Sequence, residues 1–501
     1  MTADRLLPLI VAVPLGVSFF LPLIGLLHER LAALVTVGTT AVMILLAWGM
    51  IGADRVVYSV GGWHPPFGIC LVGDGLSTFF HLMIAVIAFL VAIYSIAYMK
   101  RFTATTRFYT LFMLMVSGMN GVVASGDLFN IYVFLEIAAF SSYSLVAFGI
   151  GREELEASFK YLVLGGMGSS FILFGTALMY SVTGTLNLAD IASVLDKSNP
   201  GAIIGFIAAL LLMGYSVKAA LVPFHAWLPD AHPSAPAPIS AMLSGLLIKT
   251  LGIYLIARIF FTIIDIGQAL SPILITLGVL SMVIGALIAI GQNDFKRMLA
   301  YSSISQVGYI VFAFGLGNVL GLIGGLFHLL NHAFFKTLLF LCSGAVEYAT
   351  GTRDLNRLGG LWKKMPVTSS TCTIASMSIS GIPPLGGFFS KLIIALAAVQ
   401  AAEYMGPVAY FLAGITVFVS FLTIVYFIKL QKLAFFGELP SALERVREVP
   451  AVMWSVMIVL AAACILFGLV CPWFIGNLVN PAAEALLDKG DYIKQVLETI
   501  R

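Results

Sequence analysis

Stretches of roughly twenty predominantly apolar residues recur from one end of this 501-residue chain to the other, and that recurrence limits its fold more than any other feature. A stretch of that length crosses the hydrocarbon core of a bilayer only if its backbone N–H and C=O groups are bonded within the segment, which an α-helix achieves. Hydropathy places fourteen such spans, near residues 5–27, 31–52, 74–98, 108–126, 128–149, 158–182, 201–228, 236–261, 268–291, 296–316, 319–345, 367–400, 405–430 and 450–478. No polar segment between them is long enough for a separate soluble domain. The expectation is an all-α, multi-pass integral membrane protein. The first run follows only Arg5 and lacks a small-residue cleavage site, so it reads as a retained span and not as a signal peptide.

The net charge of +3 is too small to argue for nucleic acid. Cys70, Cys342, Cys372, Cys464 and Cys471 show no CxxC or Cys/His spacing, so no metal or cluster is expected. No P-loop, dinucleotide fingerprint or nucleophile motif occurs in a suitable context, and no cofactor is expected. Basic residues divide unevenly: sixteen lie in odd-numbered connections, whereas the even-numbered ones hold Arg55 and Lys197. By the positive-inside rule the odd connections are cytoplasmic and both termini are outside, in a cell membrane.

Two stretches interrupt the helical pattern. Between Lys218 and Lys249 lie five prolines, and Pro223 breaks span seven near Leu221. Freed carbonyls and a buried ammonium are tolerated at membrane depth only beside protein or internal water, so the break is expected to border a hydrated cavity. In SGIPPLGGFFSK, Gly381, Pro383 and Pro384 break span twelve ahead of Lys391. Each break falls in the fourth member of a group of five spans, which suggests inverted repeats with ion sites at the breaks. The expected units are residues 1–107 (helices 1–3), 108–261 (first repeat, helices 4–8), 262–432 (second repeat, helices 9–13) and 433–501 (helix 14 and an amphipathic tail). The tail from Pro481 to Arg501 is compatible with lying along the interface and with fraying.

Inside the spans, titratable residues are few. Glu136 is an acid about two turns into an apolar helix, a costly place unless it pairs or carries protons, and Lys218 is its natural partner. His328, His332 and Lys336 recur at steps of four along span eleven and share one helix face. Imidazoles suit proton relay because each ring accepts on one nitrogen and donates from the other. Lys249 and Lys391 complete a series that internal water would join into a proton wire. His225 and His232 lie among prolines at the first break, where gating access and capping at the interface are both compatible. Tyr301, Ser302, Ser303, Ser305 and Gln306 either order water or bond between helices. Gly165, Gly166, Gly168, Ser169 and Ser170 read as small residues at a close helix crossing, with no chemistry of their own.

Five segments in order resemble a known family: LFNIYVFLEIAAFSSYSLVAFG, VKAALVPFHAWLPDAHPSAPAPISAMLSGLLIKTLGIYLIAR, NDFKRMLAYSSISQVGYI, HLLNHAFFKTLLFLCSGAVE and SGIPPLGGFFSKLIIA. They are similar to the antiporter-like membrane subunits of Mrp cation/proton antiporters, respiratory complex I and membrane-bound hydrogenases. The resemblance covers roughly residues 65 to 440. It implies fourteen helices with inverted five-helix repeats and broken seventh and twelfth helices. It also carries the family's translocation residues onto Glu136, Lys218, Lys249, His328, His332 and Lys391. GGWHPPFGICLVGDGLS at residues 61–77, the LLIKT lysine and Lys391 look most like the D-type Mrp subunit, while HAWLPDAHPSAPAPISAML is equally similar to the hydrogenase-type subunit.

The leading expectation is therefore a proton-translocating subunit of a multisubunit membrane complex, exchanging protons for sodium in the Mrp manner, with other membrane subunits and lipid as partners. The alternative is a proton- or sodium-pumping subunit of a redox-driven hydrogenase or NADH:quinone oxidoreductase. A quinone-reactive oxidoreductase finds no flavin, haem or cluster motif in the chain. A passive scaffold would not need a buried acid, several buried lysines and a row of histidines.

Overall fold

The computed structural model describes residues 3–64, 67–197, 201–264 and 267–498. Fourteen helices are long and apolar enough to cross a membrane: Asp4–Leu27, Glu29–Trp48, Gly75–Arg101, Thr105–Ala124, Leu128–Gly149, Arg152–Thr183, Ala202–Ala219, Ala237–Ile263, Ala269–Gly291, Phe295–Gly315, Val319–Thr350, Gly386–Met405, Val408–Phe436 and Ala451–Leu469. They are numbered spans 1 to 14 here. They follow the hydropathy spans except at the two breaks. Span 7 stops at Ala219, short of residue 228, and a separate helix, Pro366–Ser380, precedes the Gly386–Gln400 helix that opens span 12. Among the described residues the strands form one antiparallel hairpin, Val56–Ser59 with Cys70–Gly73, between spans 2 and 3.

Spans 4–8 and 9–13 share local detail that hydropathy does not reveal. Asp127 caps span 5 and bridges to Asn187 beyond span 6, while Asp294 caps span 10 and bridges to Asp354 beyond span 11. Spans 6 and 11 are each 32 residues long and end at glycines in the left-handed region, Gly184 (φ 70°) and Gly351 (φ 73°). Thr183 and Thr350 each donate to the carbonyl two residues on, at 3.0 Å in both copies.

The breaks correspond too. Ala220 and Gly381 take left-handed conformations (φ 55° and 79°), and the following N–H reaches back five residues, Leu221 to Ser216 at 3.0 Å and Ile382 to Met377 at 3.1 Å. This six-to-one bond terminates a helix in the Schellman manner, and the prolines that follow prevent its continuation. Because each group has an odd number of spans, a chain threading to and fro presents the second copy turned over.

Glycines set how closely the second group packs. A Cβ at Gly278 would lie 2.6 Å from the backbone nitrogen of Phe312, and one at Gly308 2.6 Å from that of Met282. Gly285 and Gly315 repeat the arrangement one heptad along, so spans 9 and 10 touch backbone to backbone.

Both ends of the chain lie on the face of the even-numbered connections. Span 1 packs on the Val56–Ser59 strand, and the helices Asn480–Leu487 and Lys489–Glu498 fold back on span 3 and the end of span 8. The tail neither frays nor lies free along the interface, because Ala482, Leu486, Tyr492 and Val496 are buried against the protein; its residues 499–501 lie outside the described residues. Beneath it, Arg258 of span 8 grips Asp74 at the start of span 3 through two contacts of 2.7 Å, with both side chains only 3% exposed. The Tyr492 ring lies 5.5 Å from the Arg258 guanidinium and 5.3 Å from that of Arg55, which pairs with Asp491 at 2.9 Å. The pair joins positions far apart in the chain.

Two substitutions test this packing. Gly278→Leu should cost about 1–3 kcal/mol through overpacking, read as a lowered thermal unfolding midpoint of the purified chain, whereas Gly166→Leu, at a site with nothing within 4 Å, should leave the midpoint unchanged. Arg258→Met strands the Asp74 carboxylate and should cost about 3–5 kcal/mol. The double variant Asp74→Asn/Arg258→Met should recover much of that loss, and a double variant no better than the single one would show that the pair is not what the site depends on.

Candidate functional site

The titratable residues singled out inside the spans occupy four stations along the interior. The first is the pair expected from sequence. Lys218 lies in the last turn of span 7, its Nζ 3.8 Å from Glu136 Oε1, with side-chain exposures of 3% and 19%. The ammonium also donates to the Gly165 carbonyl at 3.0 Å and to the Tyr143 hydroxyl at 3.3 Å. Ser169 donates to the same Glu136 oxygen. Gly165 has to lack a side chain, since a Cβ there would collide with the Tyr143 hydroxyl. The small residues of span 6 are thus more than a helix crossing: one supplies a carbonyl to Lys218 and another a hydroxyl to Glu136. Past the break, the Trp227 indole donates to the Val217 carbonyl at 2.9 Å and stacks on Tyr161 with centroids 4.0 Å apart. That contact gives a second donor to a carbonyl of the last turn of span 7, which also accepts the Ala220 N–H at 3.1 Å.

Lys249 forms the second station. Span 8 contains three π-helical turns, Leu243–Leu247, Lys249–Ile253 and Arg258–Ile263. Such turns widen the helix and are frequent at functional sites. Fully buried, Lys249 turns back on its own helix and donates to the carbonyls of Ser244 (2.5 Å) and Gly245 (2.9 Å). Two contacts carry the series onward. Gly252 meets the backbone of Ala219, one residue past Lys218, and Gly245 abuts Thr337 and Ala333 of span 11.

The third station is the row on span 11, where His328, His332 and Lys336 are all fully buried. Lys336 donates to the Leu299 carbonyl at 2.7 Å and to the Ser302 hydroxyl. His328 Nδ1 is 2.9 Å from Ser390 Oγ. The two imidazole centroids are 6.3 Å apart, and neither nitrogen of His332 meets a protein partner among the described residues. The rings share a face, as the spacing requires, yet they do not bond to each other. Of the span 10 hydroxyls, Ser302 serves Lys336, and Ser303 bonds Ser244 at 2.8 Å beside Lys249.

Lys391 is the fourth station. Its ammonium donates to the Ile379 carbonyl, exposed by the second break, at 2.8 Å and to Ser420 Oγ at 3.3 Å. It stands 5.0 Å from the centroid of the Tyr309 ring, which in turn lies 5.6 Å from His328. Ser390, the neighbour of Lys391 in the chain, is the residue bonded to His328, so row and break are joined side chain to side chain.

The residues at the breaks divide. Pro223, Pro383 and Pro384 are exposed and His225 is half-buried. His232 is fully buried and stacked on Phe340 at 4.6 Å, with Lys336 over the same ring at 5.8 Å. It belongs to the interior beside span 11 and not to an interfacial cap. Sequence reading missed Tyr143, Ser169, Tyr309, Ser390 and Ser420. Ser169 and Gly165 carried a legible signal, a four-residue step on one face of a span, whereas the others became visible only once the helices were placed.

Comparison with known proteins follows the same lines. The family described as "NADH:quinone oxidoreductase/Mrp antiporter, TM" matches residues 125–433, and that described as "NADH-Ubiquinone oxidoreductase (complex I), chain 5 N-terminus" matches residues 57–109. The chain is 35% identical over 500 residues to the N-type subunit of the NADH-quinone oxidoreductase of Desulforudis audaxviator, covering 95% of this chain and 97% of that one. It is 34% identical over 501 residues to the D-type subunit of the Na(+)/H(+) antiporter of Alkalihalophilus pseudofirmus, covering 99% and 100%. A chain in the structure of the Mrp complex from a Dietzia species superposes with a TM-score of 0.91 at 28% identity, covering 99% of this chain and 100% of that one. Fold, breaks and sequence agree: the chain belongs to the NADH:quinone oxidoreductase/Mrp antiporter transmembrane family.

Proposed function

We propose that this chain is a proton-translocating, antiporter-like subunit of a multisubunit membrane complex, exchanging protons for sodium in the manner named for its Na(+)/H(+) antiporter relative. The observation that carries the reading is the succession of titratable groups through neighbouring spans. Glu136 and Lys218 are paired, and Lys249 follows across the Ala219–Gly252 contact. Next come Lys336 and the histidines across the Gly245–Thr337 contact, and then Lys391 through Ser390. Buried charge of this kind is rare and functional in membrane proteins. The 6.3 Å between the imidazoles is too long for direct hand-over, so water is the intermediary between His332 and His328. A second reading, a pumping subunit of a redox-driven complex, is favoured by the equally extensive match to the NADH-quinone oxidoreductase relative. In either case the chemistry of this chain is the movement of protons through the same residues.

The reading extends to architecture. Residues 108–261 and 262–432 are the two repeats, residues 1–107 the N-terminal helices, and residues 433–501 the last helix with its tail. The protein lies in the cell membrane with both termini outside, supported by the excess of Lys and Arg in the odd-numbered connections. An impermeant label reaching a cysteine at position 363 from the outer side would overturn that orientation.

Proton flux in vesicles carrying the assembled complex tests the route. Glu136→Ala and Lys218→Ala should each abolish flux while assembly persists, and Glu136→Asp should retain part of it because the charge remains with a shorter reach. Normal flux in Glu136→Ala would sink the proposal for the first station. With His328 and His332 both replaced by Ala, undiminished flux would remove the row from the path.

A further inference from the structure

A cavity of about 930 Å³ lies apart from the translocation series, where the turn between spans 1 and 2 meets the end of span 3 and the start of span 4. Its volume is at the upper end of the roughly 300–1,000 Å³ usual for small-molecule sites. The lining combines Leu34, Phe102 and Tyr109 with the charged side chains Glu29, Arg30 and Lys100. The wall is continuous with the exposed leucines Leu26, Leu27 and Leu31 that end span 1 and open span 2. Exposed Arg30 and Lys100 therefore border a lining that also holds apolar side chains.

Some basic residues on this face meet carboxylates, as Lys160 does Glu156 and Asp230, Lys296 does Glu347 and Arg353 does Asp294, whereas Lys429 is held by carbonyl and amide oxygens. Among the described residues, no carboxylate lies within ion-pairing distance of Arg30 or Lys100. The acid of the lining, Glu29, instead accepts a hydrogen bond from Thr105 at 3.1 Å, across the cleft from its own helix.

We propose that this cleft binds one anionic phospholipid, its phosphate held between Arg30 and Lys100 and an acyl chain laid along the Leu34–Tyr109 wall. Basic pockets between membrane helices on the positively charged side recognise anionic headgroups in this way. Two cations without counter-ions, set above an apolar wall, match a negative headgroup joined to hydrocarbon. An acidic soluble ligand would leave the wall unmatched. The inference rests on the membrane reading of the chain and is independent of the proposed transport.

A fluorophore on Leu34→Cys in the full chain reads this site, with brominated phosphatidylglycerol and brominated phosphatidylcholine as quenchers in nanodiscs. Phosphatidylglycerol should quench at the lower mole fraction. The double variant Arg30→Gln/Lys100→Gln should reduce that preference by roughly 25-fold, taking about 1 kcal/mol for each basic residue. Glu29→Gln should act in the opposite direction and raise it, an outcome that misfolding would not produce. Equal quenching by the two lipids, or a preference that survives the double variant, overturns the proposal. So does a label quenched in the free chain but shielded from both lipids in the assembled complex, because another subunit would then fill the cleft.

Discussion

An ammonium group inside a membrane needs oxygen atoms, and each interior carbonyl of an α-helix already accepts one bond from its own chain, leaving only its second lone pair. The structure meets that requirement partly by irregularity and partly by close approach to regular helices. Lys391 takes the carbonyl of Ile379, uncovered by the second break, and Lys249 takes those of Ser244 and Gly245, turned outward by π-helical geometry. Lys218 reaches the carbonyl of Gly165, accessible because that residue has no side chain, and Lys336 that of Leu299. Of these four lysines, only Lys218 has a carboxylate near enough to share the charge among the described residues. The other three are held by carbonyl and hydroxyl oxygens, with aromatic rings beside Lys336 and Lys391.

This constraint accounts for what was legible in the sequence and what was not. The spans could be read because they are long and apolar, and the breaks because proline and glycine leave a local chemical mark. The rare charges could be read because they stand out against that background. Glu136 with Lys218 was legible as a pair, since each is costly alone. The π turns of span 8 were not, because LSGLL and KTLGI contain nothing that distinguishes a widened turn from a regular one. The partners of Lys391 were hidden for a different reason: one is a backbone carbonyl and the other, Ser420, lies on another span. His232 shows the limit of local reading, since its prolines suggested a surface position while its contacts with Phe340 place it inside.

The two five-span groups keep their frame and differ in their chemistry. Caps, bridges and helix-terminating glycines recur at corresponding places, down to the threonines that follow the long helices. The active side chains do not. Lys218 precedes its break and turns away from it towards span 6, leaving the last-turn carbonyl of Val217 to Trp227 and the Ala220 N–H. Lys391 follows its break and takes a freed carbonyl itself. The frame therefore tolerates a lysine on either side of the break, provided that each exposed carbonyl finds a donor.

The position of Tyr492 has a consequence for biogenesis. Residues 74 and 258 leave the ribosome long before residue 492, and chains of this size assemble from the N-terminus as they are made. The Asp74–Arg258 pair at the end of span 8 is thus translated well before its aromatic cover. Only when synthesis is complete does the tail return to lie across Arg258 and Arg55. A chain halted after span 14 would hold all four stations while lacking the piece that covers the pair.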